Sequence, residues 1–195
     1  MRLPIDRILS RSHSGLILIL LVVLSRLIPH PPNFSPVLSI ALFSGVMYSR
    51  GMITRLWWAL AIPFLGMVLS NWVLGFHVIS WVVVGLISGL TLLGLLMGRQ
   101  TAHRGNTRQM PGARAWLTYS LLSACLFFVF SNFFVWLLSG YYPATGDGLV
   151  ACYVAAIPFF QHTLASVVVY SAVLFEGQRW MDWLVDKAAS SPSPA

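Results

Sequence analysis

The sequence contains few charged residues, and acidic residues are the scarcest of them. Of its 195 residues, 9% are charged, only five are Asp or Glu, and 57% are hydrophobic, with a mean hydropathy of +0.79. A soluble domain carries about 25% charged residues, so this composition excludes a water-soluble globular protein. We therefore expect an all-α, polytopic membrane protein in contact with the lipid bilayer.

Cysteines and catalytic motifs are scarce as well. The two cysteines, Cys125 and Cys152, both lie in apolar stretches, which excludes a disulfide or zinc framework. The sequence has no HExxH motif, no Walker loop and no Ser/His/Asp arrangement with suitable spacing. Proton-coupled and ion-coupled transporters usually place Asp or Glu in the membrane, and the apolar stretches contain neither. A self-energised secondary transporter is therefore disfavoured.

Six apolar stretches predict six transmembrane helices. These spans run over residues 15–29, 37–49, 56–75, 78–98, 115–138 and 149–175. A bilayer core about 30 Å thick needs roughly 20 helical residues, so the first two spans are short. We divide the chain into a cytoplasmic N-terminus (1–14), a six-helix membrane domain (15–177) and a cytoplasmic tail (178–195), whose end, residues 188–195, is expected to be disordered.

The basic residues predict the orientation of the chain. Eleven of the twelve fall on one side of the membrane: Arg2, Arg7, Arg11, Arg50, Arg55, Arg99, Arg104, Arg108, Arg114, Arg179 and Lys187. The loops on the other side contain no Lys or Arg. The positive-inside rule then places both termini in the cytoplasm, and we expect a multi-pass protein of the bacterial inner membrane. Because topology accounts for the positive charge, no nucleic-acid partner is required.

The segment Pro29–Pro36 joins the first two spans and contains four prolines in eight residues, so it cannot be helical throughout. Span two has about 13 residues, or about 20 Å of helix, which does not cross the core. Part of the proline segment is therefore predicted to lie at membrane depth. Non-helical backbone is tolerated there if it packs in protein or lines a wet cavity. Two interpretations remain open, a binding cavity open to the outside and a rigid connector.

Polar and aromatic residues concentrate at the predicted outer ends of the spans. The candidate ligand-binding residues are Arg26, His30, Asn33, Phe34, Asn71, His77, Ser80, Asn132, Trp136, Tyr141, Tyr142 and Tyr153. Each one has an ordinary explanation in helix packing or in the aromatic belt, but their clustering on one side favours a binding site. Arg26, the one basic residue inside a span, is expected to hold carbonyls of the proline segment or to face an anionic or amide-rich ligand. His162 is expected to donate a hydrogen bond between helices.

Small residues predict close helix contacts at Ala41-x-x-x-Gly45 in span two and at Gly85-x-x-x-Gly89 in span four. Packing within the chain is the favoured interpretation. On a lipid-facing surface, the same patterns would instead dock another membrane subunit.

Several segments resemble a family of small bacterial six-helix membrane proteins over residues 24–177. The most specific are PHPPNF at 29–34 and AIPFF at 156–160, supported by ALFSG at 41–45, SNFFVW at 131–136 and YPAT at 142–145. That family resembles the substrate-binding S components of energy-coupling factor transporters, above all the cobalamin-specific S components of Gram-negative bacteria. The sequence departs from the family pattern at position 71, where Asn71 stands in place of the expected Asp.

The resemblance implies a binding subunit without a cofactor of its own. It implies a vitamin, with cobalamin (vitamin B12) as the first candidate, bound in an outward-facing cavity and imported by partner ATPases through an energy-coupling factor coupling subunit. His77 or Cys152 is then the candidate axial ligand of cobalt. The alternatives are an S component for another vitamin, a membrane enzyme that processes a corrinoid by Cys or His ligation of cobalt, and a structural assembly subunit.

Overall fold

The computed structural model describes residues 4–49, 53–103 and 110–190, with side chains for residues 14–49, 55–102 and 110–187. These ranges contain no strand and six helices: α1 (Pro4–Leu27), α2 (Val37–Tyr48), α3 (Ile53–Leu74), α4 (Val78–His103), α5 (Ala113–Leu138) and α6 (Gly146–Ser190). Helices α3 to α6 are long and apolar enough to span a membrane, whereas the apolar parts of α1 and α2 are shorter. The prediction of an all-helical fold is confirmed for the described residues, and four candidate membrane spans with two shorter apolar helices are consistent with a membrane protein. Some of the residues used above lie outside the described set: Arg2, Arg50, Arg104, Arg108, the side chains of Arg7 and Arg11, and residues 191–195.

Helices that are two apart in the chain run parallel to each other. Val22 of α1 packs against Gly66 of α3, and one turn further along both helices Arg26 of α1 contacts Asn71. Helices α2 and α4 are paired in the same direction, through the contacts described below.

Neighbouring helices run antiparallel, as α5 and α6 show. Trp116 near the start of α5 donates its Nε1–H to Glu176 late in α6, at 2.8 Å. Tyr153 near the start of α6 donates its hydroxyl to the carbonyl of Val129, at 2.6 Å.

The alternating directions bring three connections to one end of the bundle: residues 28–36, 75–77 and 139–145. The described N- and C-terminal ends lie at the opposite end. We call the first the outer end and the second the inner end, following the sidedness that the basic residues predict.

Helix α2 lies in the middle of the bundle. It is only about 18 Å long and contacts all five other helices, and all of its residues except Met47 are buried. An apolar surface around a whole helix is typical of complete burial. The hydroxyl of Ser44 donates to the carbonyl of Ala59 in α3, at 3.1 Å. The span that is too short to cross a bilayer is thus enclosed by protein.

Backbone contact with α4 fixes the position of α2. A Cβ atom at Gly45 would lie 2.7 Å from the amide nitrogen of Leu95, and one at Gly94 would overlap the carbonyl of Leu42. Packing of the Ala41-x-x-x-Gly45 pattern within the chain is therefore confirmed at Gly45.

The second small-residue pattern has a different environment. Gly85 and Gly89 lie on an exposed face of α4, and a Cβ atom at either would meet nothing within 4 Å. Its expected role in packing the bundle is wrong for the part of the chain that the structure describes.

Helix α6 has 45 residues and is about 68 Å long, more than twice the thickness of a bilayer core. The predicted end of span six near residue 175 is not the end of the helix. Gln178 bonds Asp182 at 2.8 Å, and Arg179 pairs with Glu176 at 2.8 Å. These contacts at i+4 and i+3 support continued helix. The start of the segment expected to be disordered, residues 188–190, is helical.

The α2–α4 contact predicts that two glycines of α4 differ strongly in the stability lost when each is replaced. Replacing Gly94 by Val should destabilise the protein by about 1–3 kcal/mol or more, because the added atoms meet backbone that has no room to move. The matched variant Gly89→Val should change stability by less than about 0.5 kcal/mol, because that face is open. Thermal unfolding of both variants in detergent measures the difference, and equal losses would contradict the described packing.

Candidate functional site

A cavity of about 500 Å³ lies at the outer end, among α1, α3, α4, α5 and their connections. We call it the upper cavity. Five of the predicted ligand-binding residues line it: Arg26, Asn71, His77, Ser80 and Tyr141. They come from four separate parts of the chain, so only the folded bundle brings them together.

A second cavity of about 240 Å³, which we call the lower cavity, adjoins the first. Three predicted residues line it, namely Arg26, His30 and Asn33, and the first turn of α2 contributes Val37. Arg26 and Val83 line both cavities. The two cavities therefore adjoin at Arg26 and Val83, and together we call them the recess.

The proline segment contacts α6 far from the outer end of that helix, although its residues 29–33 are exposed. The Nδ1 atom of His162 donates to the carbonyl of Pro32 at 3.1 Å, about 24 Å along α6 from its start at Gly146. One turn further along α6, the hydroxyl of Ser166 donates to the carbonyl of Asn33 at 3.5 Å. The location of this segment at membrane depth stays a prediction. His162 bonds the connection between α1 and α2, and not another helix as expected.

A tight turn gives the proline segment its shape. The amide of Phe34 donates to the carbonyl of Pro31 at 3.0 Å, and Asn33 has a φ of 62°. Proline at the second position and asparagine with positive φ at the third are typical of a type II turn. The turn exposes the carbonyls of Pro32 and Asn33 to the donors on α6.

The guanidinium group of Arg26 contacts two neutral acceptors on α3. Its Nη2 donates to Oδ1 of Asn71 at 2.6 Å, and its Nη1 donates to Sδ of Met67 at 2.8 Å. The expected contact with carbonyls of the proline segment is not found among the hydrogen bonds of the described residues. Arg26 also lines both cavities.

Several predicted residues lie outside both cavities, at the contact between the outer halves of α5 and α6. Asn132 donates to the carbonyl of Phe128 at 2.7 Å, and Trp136 donates to the carbonyl of Pro143 at 2.9 Å. Tyr153 donates to Val129, as described above. Asn132 thus bonds within α5, Trp136 holds the connection that follows α5, and Tyr153 is the one of the three that bonds from α6 to α5.

Two aromatic candidates also lie outside the recess. Phe34 packs its ring against Tyr170, with centroids 5.6 Å apart, and this contact fixes the turn on α6. Tyr142 is half-buried and lines neither cavity.

The two candidate cobalt ligands differ in their access to the recess. His77 lines the upper cavity. Cys152 is 1% exposed, lines neither cavity, and directs its Sγ to the carbonyl of Asn132 at 3.5 Å. Only the imidazole is placed where a bound ligand reaches it.

Sequence reasoning missed some residues of the recess. Met67 lies one turn before Asn71, and Val83 lies one turn after Ser80, so both share a helix face with a predicted residue. The helical spacing from a predicted residue could therefore have identified both of these residues. Phe127, in the lower cavity, lies inside a long apolar helix and has no distinguishing pattern.

Comparison with known proteins identifies one family. A family model described as "Family of unknown function (DUF6580)" matches residues 7–189. The chain belongs to the DUF6580 family. No curated protein and no solved structure matches it. Both cavities and the proline segment lie inside the matched region.

The left-handed conformation of Asn33 predicts how the turn responds to substitution. Asn33→Gly should keep the stability of the wild type, because glycine adopts positive φ without strain. Asn33→Val should lose about 1–2 kcal/mol, because a β-branched residue is strained there. Thermal unfolding in detergent compares the two variants, and a Val variant as stable as the Gly variant would contradict the described turn.

Proposed function

We propose that this protein is a six-span, S-component-like binding subunit of the bacterial inner membrane. It takes up a vitamin from the outer side, and cobalamin is the first candidate. The single observation that carries the proposal is the recess, in which Arg26, Asn71, His77, Ser80 and Tyr141 converge on one cavity at the outer end. Ligand sites are typically concave spaces of about 300–1,000 Å³ with a few placed polar groups.

The chemistry of the recess suits a large ligand with many hydrogen-bond acceptors. Arg26 and Asn71 supply donors, while Ser80 and Tyr141 supply hydroxyl groups that both donate and accept. Val83 and the neighbouring apolar side chains provide surface for a hydrophobic ring system. Cobalamin combines these features, with amide side chains around an apolar macrocycle, and His77 is the residue we propose to approach its cobalt.

Transport driven by partner ATPases fits the scarcity of acids in the spans. The acidic side chains that the structure describes, Asp147, Glu176, Asp182 and Asp186, all belong to α6. Asp147 is in its first turn, and the other three follow Phe175, the last residue of the predicted sixth span. We therefore propose that a coupling subunit and its ATPases supply the energy, with both termini of this chain on the cytoplasmic side.

The corrinoid-processing alternative has less support. Ligation of cobalt by a thiol requires a cysteine next to the ligand, and Cys152 is buried at the contact between α5 and α6. Ligation by an imidazole would use His77, which lines the upper cavity in either case. Cys125 lies on α5 and lines neither cavity.

Titration of the purified protein with cyanocobalamin tests the proposal. We expect saturable binding to the wild type. His77→Ala should weaken it about 10-fold or more, and Tyr141→Phe should weaken it about 3- to 10-fold by loss of one hydrogen bond. Tyr142→Phe is the matched control, because it removes the same hydroxyl from the adjacent residue outside the recess. Isothermal calorimetry gives the affinities of the wild type and of the three variants.

Other outcomes separate the parts of the proposal. If a different vitamin binds with the same relative affinities among the variants, that vitamin would replace cobalamin as the ligand. The proposal of an S-component-like binding subunit would then stand. Failure of every vitamin in a panel to bind would overturn the proposal as a whole.

A further inference from the structure

We infer that Arg26 and Asn71 form an anion-binding point in the recess, which takes a carboxylate or phosphate group of the ligand. The inference deepens the proposed function, on which it rests for the statement that the ligand is a vitamin. The anion-binding point itself follows from the geometry of two side chains and has a test that needs no vitamin.

Arg26 carries a positive charge that no carboxylate balances in the described part of the chain. Its two hydrogen bonds reach an amide oxygen and a thioether sulfur, both of which are neutral, and its Nε is buried without a partner in the protein. An arginine at the centre of a membrane helix costs about 2.5–3.5 kcal/mol on insertion scales, and the cost is smaller in the last turn of α1, where Arg26 lies. A counter-charge or an anionic ligand would offset this cost.

Asn71 supplies an independent observation that points to a ligand. Its side chain is 2% exposed, and its Nδ2 is buried without a hydrogen-bond partner. The orientation of the amide is determined, because Arg26 has only donors and must face the oxygen. The NH₂ group is therefore the part of Asn71 that remains to be bonded.

The unbonded groups of the pair are all donors. A group that accepts hydrogen bonds and donates none satisfies Nε of Arg26 and Nδ2 of Asn71 together. The charge on the guanidinium group favours an anionic oxygen over a neutral one, since charge-assisted hydrogen bonds are about twice as strong. Carboxylate and phosphate share this chemistry.

The position of the pair allows a ligand to reach it. Arg26 lines both cavities, and Asn71 lines the upper one beside His77. A ligand that fills either cavity therefore lies against Arg26. Arg26 is the residue at which we place the anionic group, with the remainder of the ligand in the upper cavity.

The first experiment uses simple anions and the purified full-length protein in an uncharged detergent. Thermal unfolding is measured in about 50 mM sodium phosphate, sodium acetate or sodium chloride at matched ionic strength. Phosphate, acetate or both should raise the Tm of the wild type by about 2–5 °C over chloride. Which of the two raises it distinguishes phosphate recognition from carboxylate recognition.

Two variants and a control make the first experiment specific. Arg26→Gln removes the charge and should abolish the rise. Asn71→Asp places a carboxylate beside Arg26, so it should abolish the rise while keeping the protein folded. Arg179→Gln removes a cation at the inner end and should leave the rise unchanged. The Asp variant keeps the test decisive if the Gln variant does not fold.

The second experiment measures the binding of cyanocobalamin, which contains a phosphodiester, and of dicyanocobinamide, which lacks it. Asn71→Asp should weaken the binding of cyanocobalamin about 10- to 100-fold and leave that of dicyanocobinamide within about 3-fold. If other vitamins bind instead, biotin and pantothenate represent carboxylates, and riboflavin is the uncharged control.

The outcomes separate this inference from the proposed function. In one case, anions raise the Tm of the wild type, Asn71→Asp abolishes this rise, and no vitamin binds. This result would support the anion-binding point and overturn the function. In the opposite case, a vitamin binds equally well to the wild type and to Asn71→Asp, and anions do not change the Tm of the wild type. This result would overturn the inference and retain the function. No response of the wild type to either anion and no binding of an anionic vitamin would also overturn the inference.

Discussion

The contact between α2 and α4 is the constraint on which the rest of the structure depends. Gly45 and Gly94 allow the two backbones to touch, and this close approach holds a helix of 12 residues in the centre of the bundle. Because α2 does not reach the outer end, the chain that leads to it must descend between the other helices. The turn at Asn33 and its hydrogen bonds to α6 stabilise that descent. The space left above it is the recess.

Arg26 connects this architecture with the proposed function. A helix of full length at the position of α2 would fill the volume that the guanidinium group now faces. With the short helix, Arg26 lies at the junction of two cavities and finds only neutral partners on α3. The charge of Arg26 can then contribute to recognition. A ligand that supplies the missing acceptor is stabilised by a cation that is already in position.

The sequence predicts much of the fold but only part of the site. Apolar stretches and basic loops are local features, so the six helices and their order can be predicted. Contacts between helices depend on which face each helix presents. Helix α4 carries two patterns, Gly85-x-x-x-Gly89 and Gly94-x-x-x-Gly98, which lie on opposite faces because nine residues turn a helix by about 900°. Only tertiary packing decides that the second pattern faces α2.

The same limit explains the outcome for the candidate residues. Clustering at the outer end identified Arg26 and His77, which line the upper cavity. It did not separate them from Asn132 and Trp136, whose hydrogen bonds go to α5 itself and to the connection that follows it. Both pairs consist of polar or aromatic residues near the outer end of the bundle. They differ in the direction in which their side chains point, which the sequence does not show.

Accessibility of the recess from outside is the property on which the account most depends. In a Cys125→Ser, Cys152→Ser background, Val83→Cys places a thiol where both cavities meet, and Gly85→Cys places one on the exposed face of the same helix. Spheroplasts are treated with a membrane-impermeant maleimide. We expect labelling of the cysteine at position 83 and none at position 85, because an outward-facing recess within a lipid-embedded bundle leaves the exposed face of α4 against lipid. Failure to label position 83 from outside, or its labelling only from the cytoplasmic side, would contradict an outward-facing recess.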